Sequence, residues 1–277
     1  MIQYCMFNIE TYLDSLPEDI EEINVSGKGI NSLDVTRFRK LKKIYCSNNQ
    51  LTFLQLNENL EELYCSNNRL TTLCINKNLE ILVCDNNQLT SLHLNDRLQR
   101  LHCYYNRLTS LHLNENLQTL YCYNNQLTYL HLNERLQIIN CCNNRLTSLH
   151  LNEDLQILNC SYNRFTSLHL NRNMQTLYCY NNQLTSLYLN EKLQTIVYND
   201  NPIYEIINSF VIDIIKRKIR VLNQFRYLYY CLKFKKHFRD LLWVKIREPK
   251  IRIKYSHDYL VEHLHEDTDL DQLLNNW

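Results

Sequence analysis

Five histidines, His93, His112, His131, His150 and His169, follow one another at a fixed interval of 19 residues. Eight cysteines keep the same interval: Cys46, Cys65, Cys84, Cys103, Cys122, Cys141, Cys160 and Cys179. Aligned imidazoles can ligate a transition metal or take up protons together, and aligned thiols can hold zinc or pair into disulfides. The zinc reading wants paired thiols, and no Cys-x-x-Cys occurs. Val25 fills the cysteine slot one repeat earlier, which marks it as a small apolar core position. Buried free thiols fit a reducing compartment, so an intracellular protein with no metal and no cofactor is expected. Neighbouring histidines about 5 Å apart would repel by roughly 0.8 kcal/mol per pair in water if all were charged. A mostly neutral column is therefore expected at neutral pH, read first as a copied, solvated surface. Sensing of pH and a two-histidine metal clip are the alternatives for the column 93–169.

The interval belongs to a whole frame, Leu-x-x-Leu-x-Cys-x-x-Asn-x-Leu-Thr-x-Leu-x-Leu-Asn. Its first asparagine recurs as Asn49, Asn68, Asn87, Asn106, Asn125, Asn144, Asn163, Asn182 and Asn201. So short and strict a period means stacked coils in which each repeat buries its apolar side chains against its neighbours. Within a coil Leu-x-Cys alternates as a strand with one buried face must, so Leu63 and Cys65 point inward while Tyr64 and Ser66 point out. Stacked at about 4.8 Å, these strands form a parallel sheet. The rest of the coil, about ten residues, is too short for an ordinary helix with its connections and predicts an extended or turn-like return. Leu51, Leu54 and Leu56 supply three further inward positions there.

The frame resembles the leucine-rich repeat, over residues 20–206. That resemblance implies an α/β solenoid with a parallel β-sheet on the concave side and an extended or turn-like convex side. It also implies that the asparagines Asn49 to Asn201 satisfy backbone groups of neighbouring coils. Both ends need caps. Ile9, Tyr12, Leu13 and Leu16 are spaced helically within an N-terminal cap, residues 1–19, that Pro17 stops. Ile203 and Ile206 are the last anchors of the repeat. Residues 207–277 form a helical, basic C-terminal region, in which Val211, Ile214, Ile215, Ile219, Leu222, Phe225, Leu228 and Leu232 mark one face. Shorter helices are expected near 255–265 and 270–275. The stretch from Ser15 to Ile30 and the ending from Trp243 to Trp277 resemble leucine-rich repeat proteins of giant DNA viruses of the mimivirus type. This implies a viral source and, with it, a host cytoplasmic location.

The outward strand residues form the concave face. The slot between Leu and Cys holds Tyr45, Tyr64, His102, Tyr121 and Tyr178, and the slot after Cys holds Asp85, Tyr104, Tyr123 and Tyr180. A surface of Tyr, Asn, Ser and Thr offers large contact area at low entropy cost, and Tyr is enriched in binding hot spots. Packing of the tyrosines on one another along the sheet is the alternative. Lys43 and Arg100 are the firm cations of this face, too few for a nucleic-acid groove. Between Lys216 and Lys254, by contrast, Lys and Arg far outnumber Asp240 and Glu248 and are interleaved with Phe225, Tyr227, Tyr229, Tyr230, Phe234, Phe238 and Trp243. Basic plus aromatic suits nucleic acid or an anionic surface. The acidic stretch 258–271 could neutralise it internally.

Net charge is +1, which gives the whole chain no general pull toward polyanions. The start lacks a secretory pattern and no apolar run is long enough to span a bilayer. No glycine-rich phosphate loop and no clustered nucleophile and base occur, so no enzyme is expected. The leading expectation is a non-catalytic module that recognises an unidentified protein, of a host cell if the source is viral, on the concave face. The alternatives are nucleic-acid binding through 216–254 and a repeat product with no dedicated partner.

Overall fold

The computed structural model describes residues 7–242 of the chain. It opens with helix α1, Ile9–Asp14, whose N-cap Asn8 accepts a hydrogen bond from the Thr11 amide at 3.1 Å. The cap satisfies one of the amides that a helix start leaves without a partner. Leu13 is its buried residue.

Ten three-residue strands follow, from Glu22–Asn24 to Thr195–Val197, and form one parallel sheet in chain order. Each pairs with the next in the register that the repeat dictates, as in Leu63 against Leu82 and Leu82 against Leu101. The central leucine of the strand and the cysteine after it face inward, and Leu63, Cys65, Leu82 and Cys84 are fully buried. Both contacts are between identical slots, so every coil offers the next the same apolar surface. Phe165 and Met174 fit this core as volume-tolerant exchanges for leucine.

After the cysteine the chain must turn away from the sheet. It does so through a left-handed residue just before the ladder asparagine: Asn48, Asn67, Asn86, Tyr105, Asn124, Asn143, Tyr162, Asn181 and Asp200, all with φ between 50° and 58°. Gly27 takes that place in the first coil at φ 66°. The ladder asparagine then closes the turn. Asn87, for example, donates from Nδ2 to the carbonyls of Cys65 and Cys84 at 3.0 and 3.1 Å, and its Oδ1 accepts from the Leu70 amide at 3.0 Å. Asn49, Asn68, Asn106, Asn125, Asn144, Asn163, Asn182 and Asn201 make the equivalent bonds.

The return side is extended, as its length requires. Ser32–Asp34 pairs with Phe53–Gln55 and Ser167–His169 with Ser186–Tyr188, both parallel. His112 and His131 form an isolated parallel bridge between these segments. Of the three inward positions in this half, the first is fully buried (Leu51, Leu70, Leu89), but the third is half-buried in most coils (Leu94, Leu113, Leu151). A second asparagine spine runs here. Asn57, Asn76, Asn95, Asn114, Asn133, Asn152, Asn171 and Asn190 each donate to two carbonyls of the preceding coil, Asn76 to Asn57 and Leu60 at 2.8 and 3.0 Å.

The last coil is closed by α2, Pro202–Ile207, and by the start of α3, Ile212–Leu242. In α2 the anchors are Ile203 and Ile207, both buried, whereas Ile206 is exposed. Residues four apart share a helix face, so the helical turn rotates Ile206 away from the core. Tyr198, in the last cysteine slot, is buried and donates its hydroxyl to the Ser209 carbonyl at 2.9 Å. Lys218 donates to the Ile207 carbonyl at 2.6 Å, placing a cation at the C-terminal end of α2 where it is favoured.

The contacts divide the chain into two units, residues 1–220 and 221–277. Of the apolar face expected along α3, Ile215 and Ile219 are buried in the first unit. In the second, Phe225, Leu228 and Leu232 are exposed. Apolar and charged side chains are spread round this helix rather than gathered on one stripe. No described helix is long and apolar enough to cross a membrane. The helices expected near 255–265 and 270–275 lie outside the described residues.

Candidate binding face

The strand residues on either side of each buried leucine, and the residue after each cysteine, stand in rows on the open face of the ten-stranded sheet. Tyr45, Tyr64, His102, Tyr104, Tyr121, Tyr123, Tyr178 and Tyr180 all lie there, each half-buried. The pairing register brings them into three patches. Strands lie about 4.8 Å apart, so rings in the same slot of adjacent coils come into direct contact.

The first patch holds Tyr45 and Tyr64, stacked at 4.7 Å with 9° between planes. Beside them Lys43 pairs with Glu62 at 2.7 Å, and the Tyr64 hydroxyl donates to Glu62 at 2.9 Å. Burial would raise the Glu62 carboxyl, but hydrogen bonds from Lys43 and Tyr64, with the charges of Lys43 and Arg100, together hold it below its ordinary value. Burial first, then Glu62, pushes the Tyr64 phenol up to about 12. The phenol therefore remains a donor at neutral pH.

The central patch is the densest. Tyr104 and Tyr123 stack at 4.3 Å and 8°, and His102 meets Tyr121 edge-on at 4.6 Å. Tyr105 stands at 71° to Tyr104 and 78° to Tyr123. Burial, with a smaller push from the charge of Asp85, raises the Tyr104 phenol. Burial lowers His102 despite Asp85, so the imidazole is neutral at neutral pH.

The third patch joins Tyr180 edge-on to Tyr162 at 5.1 Å, with Tyr178 in register between Asn159 and Val197. Half-buried Cys142 occupies the slot beside Tyr123 in the next coil. Tyr105 and Tyr162 belong to the surface but were not among the residues expected there. Their slot reads as a turn, yet from its left-handed backbone Tyr105 meets Tyr104 and Tyr123, and Tyr162 meets Tyr180. The signal was available, since Asn or Asp fills that slot in seven other coils.

The histidine column stands apart on the return side. His93, His112, His131, His150 and His169 are all exposed, and His169 stacks on Tyr188 at 4.0 Å. Among the described residues no group of three or more His, Cys, Asp or Glu is arranged to hold a metal ion. From Val221 onward the basic helix α3 belongs to the other unit, where Phe225, Tyr227, Tyr229, Tyr230 and Phe234 are exposed. Phe238 and the segment 243–254 lie outside the side chains described.

No protein-family model matches the sequence, and no curated protein matches it. Among solved structures the chain is similar to YopM from Yersinia enterocolitica WA-314, at 27% identity and a TM-score of 0.64, over 66% of this chain and 43% of that one. It is similar to the leucine-rich repeat domain of APL1B at 20% identity and a TM-score of 0.56, over 69% and 72% of the two chains. A third likeness is to the octameric complex of Latrophilin 3, Unc5D and FLRT2 (LRR), at 18% identity and a TM-score of 0.50, over 68% of this chain and 77% of that one. The chain thus spans less than half the length of YopM. With its parallel ladder, its asparagine spines and these likenesses, the fold of this chain is the leucine-rich repeat solenoid, sheet on the concave side and helical at its C-terminal end.

Proposed function

We propose that the chain is a non-catalytic recognition module that binds a protein partner on the tyrosine-rich sheet face. The observation that carries this reading is the central patch. Four tyrosines and a neutral histidine are gathered within two adjacent coils and braced ring against ring, all half-buried except Tyr105, which is exposed. Rings fixed in this way lose little entropy on contact, which suits a hot spot. A leucine-rich repeat chain within the octameric complex with Latrophilin 3 and Unc5D is a relevant parallel for such use of the fold. If the giant-virus resemblance of the two ends reflects the source, the partner is a host protein met in the cytoplasm. Affinity capture with Tyr121, Tyr123, Tyr178 and Tyr180 changed to Ala tests the face. Loss of capture by the variant supports it, and undiminished capture rejects it.

A second reading concerns α3. Its exposed Phe225, Tyr227, Tyr229, Tyr230 and Phe234 lie in one stretch with Lys233 and Lys235, which flank Phe234, a combination of stacking surface and charge that suits single-stranded nucleic acid. A salt-dependent gel shift that disappears when lysines within 216–254 become Glu would favour it over the sheet face.

A further inference from the structure

The slot two residues after the left-handed turn residue runs Arg69, Gln88, Arg107, Gln126, Arg145 and Arg164 over six successive coils. Each backbone amide of this row donates to the coil before it at 2.8–2.9 Å, from Arg69 to Leu51 through Arg164 to Leu146. The row is thereby held in register along the edge where the chain leaves the sheet. Rungs about 4.8 Å apart put Arg69, Arg107 and Arg145 at intervals of roughly 10 Å, with a glutamine between each pair. All four arginines are exposed. Among the described residues none of them has an ion pair or a side-chain hydrogen bond. Residues 67–71 and the equivalent stretches of the next five coils contain no Asp or Glu. Asp85 lies just ahead of one stretch, but it is buried and already accepts from the Ser66 hydroxyl and the Asn86 amide. The acids gather instead in the loops that enter the strands, at Asp96, Glu115, Glu134 and Glu153. A chain of near-zero net charge thus carries one uncompensated cationic edge, which draws anions locally.

Aromatic rings stand in the same turns. Tyr105 and Tyr162 precede Arg107 and Arg164 by two residues and are 52% and 46% exposed. Their neighbours brace them edge-on, Tyr104 and Tyr123 for the first and Tyr180 for the second. Guanidinium donates to two phosphate oxygens at once, and an exposed ring offers a base a face to stack on. We propose that this edge binds single-stranded nucleic acid without regard to sequence, its four arginines on phosphates and Tyr105 and Tyr162 against bases. A duplex keeps its bases stacked within itself, and a sulfated polysaccharide has none, so the rings favour a single strand over either. The edge uses no residue of α3, and it stands whether or not the sheet face takes a protein.

The test is fluorescence anisotropy of a labelled oligothymidylate with the full chain across a range of salt. Each neutralised phosphate of a single strand contributes about −0.7 to the slope of log affinity against log salt, so four arginines predict a slope of about −3. Changing Arg69, Arg107, Arg145 and Arg164 to Gln gives the slot the residue that Gln88 and Gln126 already supply. This variant should bind at least tenfold more weakly, lose most of the slope and keep its midpoint in urea. Arg107→Gln with Arg145→Gln should remove about half of the slope, which keeps the test open if the fourfold variant is unstable. Tyr105→Asn with Tyr162→Asn should keep the slope but abolish the preference for oligothymidylate over an abasic strand of equal charge. Absence of binding at low salt, or undiminished affinity in the arginine variants, would overturn the proposal. So would equal affinity of the parent for the abasic strand, or binding of heparin but not of oligothymidylate. Loss of binding in Lys233→Gln with Lys235→Gln, but not in the arginine variants, would assign the activity to α3 instead.

Discussion

Asn106 donates its side-chain amide to the carbonyl of Cys84, 22 residues back in the chain, at 3.1 Å. It also donates to its own coil at Cys103 and accepts from the Leu89 amide at 2.9 Å. One side chain therefore ties three backbone groups across a coil boundary that the strands alone would leave open. Removing it strands buried groups at a cost of about 1–3 kcal/mol each. Asn106→Ala should lose roughly 3 kcal/mol or more, read as a lowered midpoint in urea denaturation. A loss no larger than that of an exposed Asn→Ala would show that water takes over these bonds.

The second spine makes a parallel prediction on the opposite side of the coil. Asn133 Nδ2 donates to the carbonyls of Asn114 and Leu117, the latter at 3.0 Å. Asn133→Ala should lose about 2 kcal/mol by the same reasoning, less than Asn106→Ala because fewer backbone groups depend on it. Equal losses at the two sites would contradict that ranking.

These two spines mark where the sequence was legible and where it was not. The first asparagine stands after a strand, in a frame whose resemblance to leucine-rich repeats assigns it a structural role, and the structure gives it that role. Asn57 and its equivalents stand in the same frame, but an asparagine at a turn also reads as solvated. Only the stacking of the coils brings carbonyls 16 and 19 residues earlier within its reach. Strand rows were legible because side-chain alternation and a constant period together fix register. The end of the repeat was not: Ile206 and Ile207 are both apolar, and choosing between them needs the start of α2. Likewise the face of α3 cannot be read where Ile215 and Ile219 are buried but Phe225 and Leu228 have no such surroundings.

The turn slot isolates a backbone effect. Asn67 is exposed and left-handed at φ 54°, and no hydrogen bond of its side chain is needed to hold the turn. A β-branched residue is strongly disfavoured at that φ, whereas Gly is free of the penalty. Asn67→Val should destabilise by roughly 2 kcal/mol and Asn67→Gly by only a few tenths. Matching thermal unfolding curves for Val and Gly would refute the strain argument.

Thiol reactivity follows from burial. Within the sheet the Cys46 and Cys141 thiols are pushed up to about 12 by burial, and Cys65, Cys84, Cys122 and Cys160 are raised as well, from the same cause first. Thiolate is the reactive form, so these cysteines should resist iodoacetamide at pH 8. Exposed Cys74 and Cys231 should be labelled fast, half-buried Cys142 slowly, and the core row only in denaturant. Peptide mapping by mass spectrometry after timed quenching reads this order. Early labelling of Cys103 or Cys122 would mean that the coils open locally.

Acid should weaken the first patch in a way that names its cause. Glu62 is held below its ordinary carboxylate value in the folded chain, so folding favours its charged form. The stabilisation is fully present above the unfolded value, about 4.3 for glutamate, and is lost as pH falls through the lower folded value. Glu62→Gln removes the charge that Lys43 faces at 2.7 Å while leaving an acceptor for the Tyr64 hydroxyl. The variant should therefore be less stable than the parent at pH 7, and the difference should shrink on acidification until the curves merge below the carboxylate range. Because Lys43 is partly solvent-facing, the gap at pH 7 should also narrow in high salt. Urea denaturation of both proteins across pH 3 to 7 reads the convergence. A gap that persists at the acid end would assign the loss to packing of Tyr64 rather than to the charge on Glu62.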